Sequence, residues 1–232
     1  MRQFPVMLFA AGFGTRMGAL VRDRPKPLLR VGGKSLLDHA LHLADQAGCA
    51  PRVINAHYLA DQIADHVQGR DVAVSHEADE ILDTGGGLRA AMQMLGRSPV
   101  MTLNTDAVWT GRNALEELAE GWDQDRMDAL LLLSPAERVL GHSGTGDFLL
   151  DVEGRVARAK GRPGFVYLGA QIVRTDVLAT IPQRAFSLNL LWDRMIAEGR
   201  AFGVVHQGGW CDVGRPEGIA LAEGMLSQSA ND

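Results

Sequence analysis

From Leu8 to Met17 the chain reads Leu-Phe-Ala-Ala-Gly-Phe-Gly-Thr-Arg-Met, and nine residues beyond Arg16 the segment Pro25-Lys26-Pro27-Leu28 begins. The apolar run Val6-Met7-Leu8 ahead of it predicts a buried strand. Glycines at 12 and 14 let the backbone turn tightly and present its N–H groups to an anion. Arg16 adds a planar guanidinium that can fork onto phosphate, and Lys26 adds a compact point charge. Together these suit a site that holds a triphosphate and stabilises charge while a phosphoryl bond changes hands. Prolines on both sides of Lys26 predict a stiff, extended segment that positions the ammonium. The plainer alternative is a pair of solvated surface cations.

Two commoner phosphate motifs do not fit. The dinucleotide fingerprint needs a third glycine where Met17 stands. Gly33-Lys34-Ser35 resembles the end of a Walker A loop, but Leu28 occupies the place of its first glycine. That tripeptide therefore reads as a turn into a helix.

Other residues with chemical potential fall where strands should end. Asp106 follows the apolar strand Val100-Met101-Thr102-Leu103, and a carboxylate there suits a hard cation such as Mg²⁺. It lies too early to cap the helix expected from about residue 112. Asp212, before Val213-Gly214, reads on its own as a turn residue. Asp83-Thr84-Gly85-Gly86-Gly87 opens a helix, and its bare backbone would let a flat base approach. It reads equally as a flexible cap, and Asp83 could meet a hydroxyl. Gly141-His142-Ser143-Gly144-Thr145-Gly146-Asp147 is either a lid or a long turn. Asn189 sits opposite the apolar face of its helix, where solvation is the plain reading. His57, His76 and His206 are isolated and read as structural.

The elements that must position these residues alternate. Strands are expected at 6–9, 53–54, 72–75, 100–103 and 129–133. Helices between them are marked by Leu37, Leu41 and Ala44, by Leu59, Ile63 and Val67, by Leu88, Ala91, Met92 and Leu95, and by Leu115 and Leu118. Ser35 with Asp38 three residues on predicts a capped start, and Gly96 a stop. After Pro135 the pattern turns to β: a hairpin about Glu153-Gly154, a strand over 165–173 interrupted by Gly169, a helix over 188–196, a strand over 202–205, a helix over 217–226 and a frayed tail over 227–232. The fold class predicted is a three-layer, Rossmann-like α/β domain with a mostly parallel sheet and an antiparallel flap. It would be one domain over 1–232, with a nucleotide-binding half at 1–134 and a sugar-phosphate-binding half at 135–232.

Composition narrows the function. A formal net charge of −5, with cations in local excess only from Arg16 to Lys34, argues against a nucleic-acid surface. The 46% hydrophobic residues form no run long enough to span a membrane, and no signal peptide is expected at the start of the chain. Cys49 and Cys211 fit no metal spacing, leaving free thiols or a single disulfide. A cytoplasmic setting is expected, and the sequence leaves the oligomeric state open.

Ala10-Ala11-Gly12-x-Gly14-Thr15-Arg16-Met17 with Pro25-Lys26-Pro27-Leu28 resembles the signature of the sugar-1-phosphate nucleotidyltransferases. The likeness continues to Trp210-x-Asp212-Val213-Gly214 and so covers nearly the whole chain. Ala19 and Val21 stand where members often carry Pro and Thr, which bears on the loop's shape. The resemblance implies an Mg²⁺-dependent enzyme acting on a nucleoside triphosphate and a sugar 1-phosphate. It implies nucleotide contacts at Ala10, Ala11, Gly12, Gly14, Thr15, Arg16, Gly85 and Gly86, and catalytic roles for Arg16 and Lys26. It implies sugar-phosphate contacts at Asp83, Asp147 and Asn189, and metal ligation by Asp106 and Asp212. Within the family, D-T-G-G-G, G-D-F at 146–148 and W-x-D-V-G are most similar to a subgroup that transfers uridylyl groups to N-acetylmuramate 1-phosphate in cell-wall recycling. Mannose-1-phosphate guanylyl transfer is the alternative. A non-catalytic nucleotide-binding domain would have lost Arg16, Lys26, Asp106 or Asp212, and all four are present.

Overall fold

The computed structural model describes residues 3–229. In chain order the strands and α-helices are β1 (Val6–Phe9), β2 (Arg30–Val31), β3 (Lys34–Ser35), α1 (Leu36–Gln46), β4 (Arg52–Ala56), α2 (Ala60–His66), β5 (Ala73–His76) and α3 (Asp83–Leu95). Then come β6 (Val100–Asn104), β7 (Ala107–Thr110), α4 (Ala114–Gly121), β8 (Ala129–Pro135), β9 (Phe148–Leu150) and β10 (Val156–Arg158). The chain closes with β11 (Phe165–Val173), α5 (Asn189–Ala197), β12 (Ala201–Val205), β13 (Gly209–Asp212) and α6 (Glu217–Ser229).

Strands from both halves of the chain share one nine-stranded sheet. β5, β4, β1 and β6 lie side by side and parallel. β11 then runs antiparallel, and β8 and β12 beyond it return to the first direction. The hairpin β9–β10 hangs from the start of β11 as the antiparallel flap. The expected interruption at Gly169 is real: the β11–β8 register shifts between Tyr167 and Gln171. Gly169 has φ +81°, and a Cβ there would come within 2.9 Å of the Asn104 side chain, so glycine is needed on both counts.

Helices cover both faces of the sheet. Leu37, Ala40 and Leu41 of α1, Ile63 of α2 and Leu115 and Leu118 of α4 bury against Val6, Leu8, Ile54 and Leu103. Leu88, Ala91 and Leu95 of α3 and Leu191, Trp192 and Met195 of α5 bury against Met7, Val53 and Leu131 on the other. Each fully buried leucine contributes about 2 kcal/mol. The caps follow the sequence: Ser35 Oγ accepts from Asp38 N, and Gly96 ends α3 at φ +75°.

A third cluster lies at the carboxyl ends of the strands. Met17, Val21, Leu29, Val31, Leu36, Val108, Cys211, Val213 and Ala222 pack together there. It joins the motif segment to α6 and to the two-stranded ladder β7–β13, in which Asp212 pairs with Ala107. Neither β7, β13 nor the small hairpin β2–β3 is apparent from the sequence, because strands of two to four residues carry too few alternations to read. α3 begins at Asp83, so the segment 83–87 opens the helix as expected and the glycines form its first turns. One boundary is corrected. α6 continues through Ser229, so Ser227–Ser229 are helical and not frayed; the remainder of the expected tail, 230–232, lies outside the described residues.

Candidate active site

Open α/β sheets place ligands beyond the carboxyl ends of their strands, and a cavity of about 330 Å³ opens there. β1 delivers one wall as Ala10, Ala11, Gly12, Gly14, Thr15 and Arg16. Gly14 has φ +63°, and a Cβ there would stand 2.9 Å from Lys26 Cβ, so this glycine lets the two cation-bearing segments pack together. A Cβ on Gly12 would meet nothing within 4 Å: the space beside it belongs to the cavity. Met17, 1% exposed, anchors the segment in the third cluster while Arg16 stays exposed.

Lys26 is not extended as the flanking prolines suggested. It starts a short 3₁₀ turn, Lys26–Leu28, entered from an extended Pro25. The side chain is buried, and its Nζ lies 2.8 Å from Asp106 Oδ2. The solvated-surface reading of Lys26 is thereby excluded. Asp106 is held at the end of β6 by Thr105, whose Oγ1 donates to Phe9 O at 2.7 Å. Its own carbonyl accepts from Val213 N at 2.8 Å. That bond continues the β7–β13 ladder and brings Asp212 beside Asp106. Burial, and then the Asp106 charge, push the Asp212 carboxyl above its ordinary value, with Lys26, Arg16 and His142 opposing. A Cβ on Gly214 would stand 2.8 Å from Asp212 Oδ2 and 3.2 Å from Arg16 Nη2, so Gly214 marks where Arg16 and Asp212 converge.

Two neighbouring carboxylates that repel each other suit a hard divalent cation, which removes the repulsion and prefers oxygen donors. Among the described residues no group of three or more His, Cys, Asp or Glu side chains could hold a metal. Asp106 and Asp212 would thus supply part of an octahedron, with phosphate and water oxygens completing it. Neither cysteine offers a nucleophile or a disulfide: both are buried and free. Burial pushes the Cys49 thiol up to about 12, and burial with the Asp212 charge pushes Cys211 up to about 11.

The opposite wall is formed by Ile81, Asp83 and Thr84. Asp83 has φ +58°, rare for a residue with a Cβ and costing about 1 kcal/mol. Its Oδ1 takes the Thr84 N–H at 2.6 Å. Gly85 and Gly86 do not reach the cavity, contrary to expectation. Both N–H groups donate to Phe186 O, at 2.8 and 3.0 Å. A Cβ on Gly85 would lie 2.4 Å from the Phe186 ring, and one on Gly86 2.6 Å from Arg184 O. These glycines admit another stretch of this chain, not a base. Asp147 and Asn189 also lie outside the cavity. The Asp147 carboxylate accepts from Tyr167 N at 2.9 Å, and Asn189 Nδ2 donates to Ser187 Oγ at 2.9 Å.

Sequence reasoning missed Asn55 and Glu77, and it marked Asn104 and Thr105 only as part of the strand-end segment that carries Asp106; all four line the cavity. Asn55, Asn104 and Thr105 stand at the end of an apolar strand or just beyond it, the signal that singled out Asp106, whereas Glu77 follows the half-polar strand β5 and carries no such signal. His57 and His206 are structural as expected: His57 Nδ1 lies 2.6 Å from Glu77 O, and His206 Nδ1 2.5 Å from Glu117 Oε2.

Comparison with known proteins gives concordant results. The model of the MobA-like NTP transferase domain matches residues 6–184. The chain is 38% identical to the N-acetylmuramate alpha-1-phosphate uridylyltransferase of Caulobacter vibrioides, over 96% of this chain and 97% of that protein. It is 31% identical to the enzyme of that name from Neisseria meningitidis, over 90% and 92% of the two chains. In fold it resembles the inositol-1-phosphate CTP transferase from T. maritima, with a TM-score of 0.80, 14% identity, and 98% and 96% of the chains covered.

Proposed function

The chain belongs to the family of MobA-like NTP transferase domains, an enzyme family that includes sugar-1-phosphate nucleotidyltransferases, and from that premise we propose that it joins UTP to N-acetylmuramate 1-phosphate. The observation that carries the reaction class is the gathering of Arg16, Lys26 and Asp106 around one cavity at the strand ends, with Asp212 just behind its lining, close to Asp106 and Arg16. The choice of UTP and of the sugar is supported by the 38% identity to the Caulobacter enzyme. That reading carries the expectation of cell-wall recycling and a cytoplasmic setting with it.

A phosphate oxygen of the sugar 1-phosphate attacks the α-phosphorus in line. The new P–O bond forms as the bond to the β-phosphate oxygen breaks, and pyrophosphate leaves with that electron pair. No protein nucleophile is required, so the protein's work is positioning and charge stabilisation. Backbone N–H groups of the segment 11–15, along the cavity wall, receive the phosphates. Arg16 neutralises charge on the transferring group. Lys26, seated between the phosphate wall and Asp106, bridges the nucleotide and sugar phosphates. Asp106 and Asp212 would hold Mg²⁺, which when bound supplies positive charge against the triphosphate. Asp83, on the far wall, meets a ligand hydroxyl. In this reading residues 1–134 act as the nucleotide-binding half and 135–232 as the sugar-phosphate half of one domain.

The test is initial-rate pyrophosphate release with UTP, GTP, CTP and ATP against N-acetylmuramate 1-phosphate and mannose 1-phosphate. The expected result is the highest kcat/KM for UTP with N-acetylmuramate 1-phosphate. A preference for GTP with mannose 1-phosphate would overturn the substrate assignment and leave the reaction class standing. No release with any pair would overturn the class.

A further inference from the structure

The cavity has a feature that the phosphate chemistry does not use. Asn55 and Glu77 line it, yet each is only 4% exposed, and their side chains are joined. Asn55 Nδ2 donates to Glu77 Oε1 at 2.7 Å, and Asn55 Oδ1 accepts from Ala10 N at 2.8 Å. Glu77 Oε2 accepts from Leu82 N at 2.8 Å. One buried chain of hydrogen bonds thus runs from the first residue of the phosphate wall to the residue before Asp83 on the opposite wall.

The register explains why Asn55 is needed. β1 pairs with β4 up to Phe9 opposite Asn55, and there the chain leaves the sheet. The next N–H, at Ala10, has no strand carbonyl to meet, and burying it unpaired would cost about 1–3 kcal/mol. The Asn55 side-chain oxygen stands in for that carbonyl. Glu77 decides which way the amide faces. A carboxylate only accepts, so Nδ2 must turn to Glu77, and Oδ1 must then turn to Ala10. The pair is itself held: Glu77 N donates to Ala56 O at 2.8 Å, and His57 Nδ1 lies on Glu77 O. Gly87 leaves room for it, since a Cβ there would lie 2.7 Å from Glu77 Oε1 and 3.0 Å from Asn55 Nδ2. Among the described residues Glu77 forms no ion pair. Burying a carboxyl group with hydrogen bonds but no cation beside it is costly, which points to a purpose beyond packing.

We infer that Asn55 is a positioning residue, locked by Glu77, that fixes the phosphate wall and the Asp83 wall at the separation a nucleoside triphosphate spans. The inference rests on the nucleotide-transfer reading above. Asn55 does not touch the reacting atoms; it acts through the Ala10 amide. A small displacement of one wall is enough to lower turnover by about a hundredfold.

The experiment compares wild type, Asn55→Ala and Glu77→Gln. UTP affinity is measured by calorimetry without sugar phosphate, and KM for both substrates by initial rates. Asn55→Ala should weaken UTP binding and raise its KM by about tenfold, with the sugar-phosphate KM moving less than about twofold. Glu77→Gln keeps the shape but puts an NH₂ against one of two donors. It should shift the same parameter in the same direction by a smaller factor, and it carries the test if Asn55→Ala does not fold. Unchanged UTP affinity in a folded variant, or equal losses for both substrates with a falling Tm, would overturn the inference. Wild type that binds UTP but releases no pyrophosphate would sink the function reading alone, because the affinity comparison still tests Asn55.

Discussion

Two glycine-rich segments of this chain look alike and work differently. Gly12 and Gly14 sit at the end of β1, and Gly85, Gly86 and Gly87 form the first turns of α3. At Gly12 the missing side chain opens onto the cavity. At Gly85 and Gly86 it is replaced by Phe186 and the Arg184 carbonyl, and at Gly87 by the Asn55–Glu77 pair. In the first segment Gly14 makes room for Lys26, while Gly12 leaves open the space that a ligand would occupy. The second is bare because the protein needs the room: the strap over residues 184–186 must lie directly on a helix N-terminus and satisfy two of its free N–H groups. Glycine alone says that something comes close, and only the neighbours say what.

The largest effect should come from the residue facing the ligand-bearing segment. Asp106→Ala is expected to lower kcat/KM by about a thousandfold, roughly 4 kcal/mol, at saturating Mg²⁺. Cooperative unfolding should persist, because the Asp106 carbonyl still pairs with Val213 N. Near wild-type turnover would remove the metal assignment and half of the comparison with it. Lys26→Ala should cost about a hundredfold, roughly 2.7 kcal/mol, mainly in kcat. Unchanged initial rates for both substrates would return Lys26 to a purely structural partner of Asp106.

Alanine at each glycine separates the segments directly. Gly85→Ala drives a methyl into the Phe186 ring and should lower unfolding stability by about 2 kcal/mol. What folds should keep its UTP KM. Gly12→Ala should leave the denaturation midpoint unchanged and raise the UTP KM by about tenfold, since its methyl enters only the cavity. If urea titration and kinetics gave the two variants the same profile, the distinction between them would collapse.

These contrasts mark what the sequence could reveal. The parallel strands β1, β4, β5 and β6, the helices between them and the caps at Ser35 and Gly96 rest on local patterns, and these are legible. So are Arg16, Lys26 and Asp106, each a charged residue beside an otherwise apolar strand or a phosphate-type turn. Asp212 was legible only by resemblance, because its partner strand β7 lies about a hundred residues away and two short strands give no periodicity. Asn55 and Glu77 were hidden for a related reason. Their role is a pairing across 22 residues that exists only once β4 and β5 are side by side. The roles expected for Gly85, Gly86, Asp147 and Asn189 did not lead to the cavity because each side chain or N–H has a nearer partner within the protein.

The smallest expected effect lies outside both segments and serves as their control. Asp38, in the first turn of α1, accepts from Ser35 Oγ, His66 and Arg70. Burial alone would raise its carboxyl, but the hydrogen bonds from Ser35, Arg70 and His66 outweigh that and hold it at about 2. An unfolded aspartate titrates near about 4. The folded value is therefore the lower of the two, so the unfolded chain binds the proton first as pH falls. The contribution is fully present above about pH 4 and is lost progressively as pH drops towards 2. Asp38 is a quarter exposed, and solvent screening keeps the effect modest. Urea midpoints between pH 5 and pH 2 should fall less steeply for Asp38→Asn than for wild type, while UTP KM at neutral pH stays the same for both. A change in UTP KM in that variant would mean that α1 reaches the cavity, and would blur the line drawn between the residues that serve the ligand and those that serve the fold.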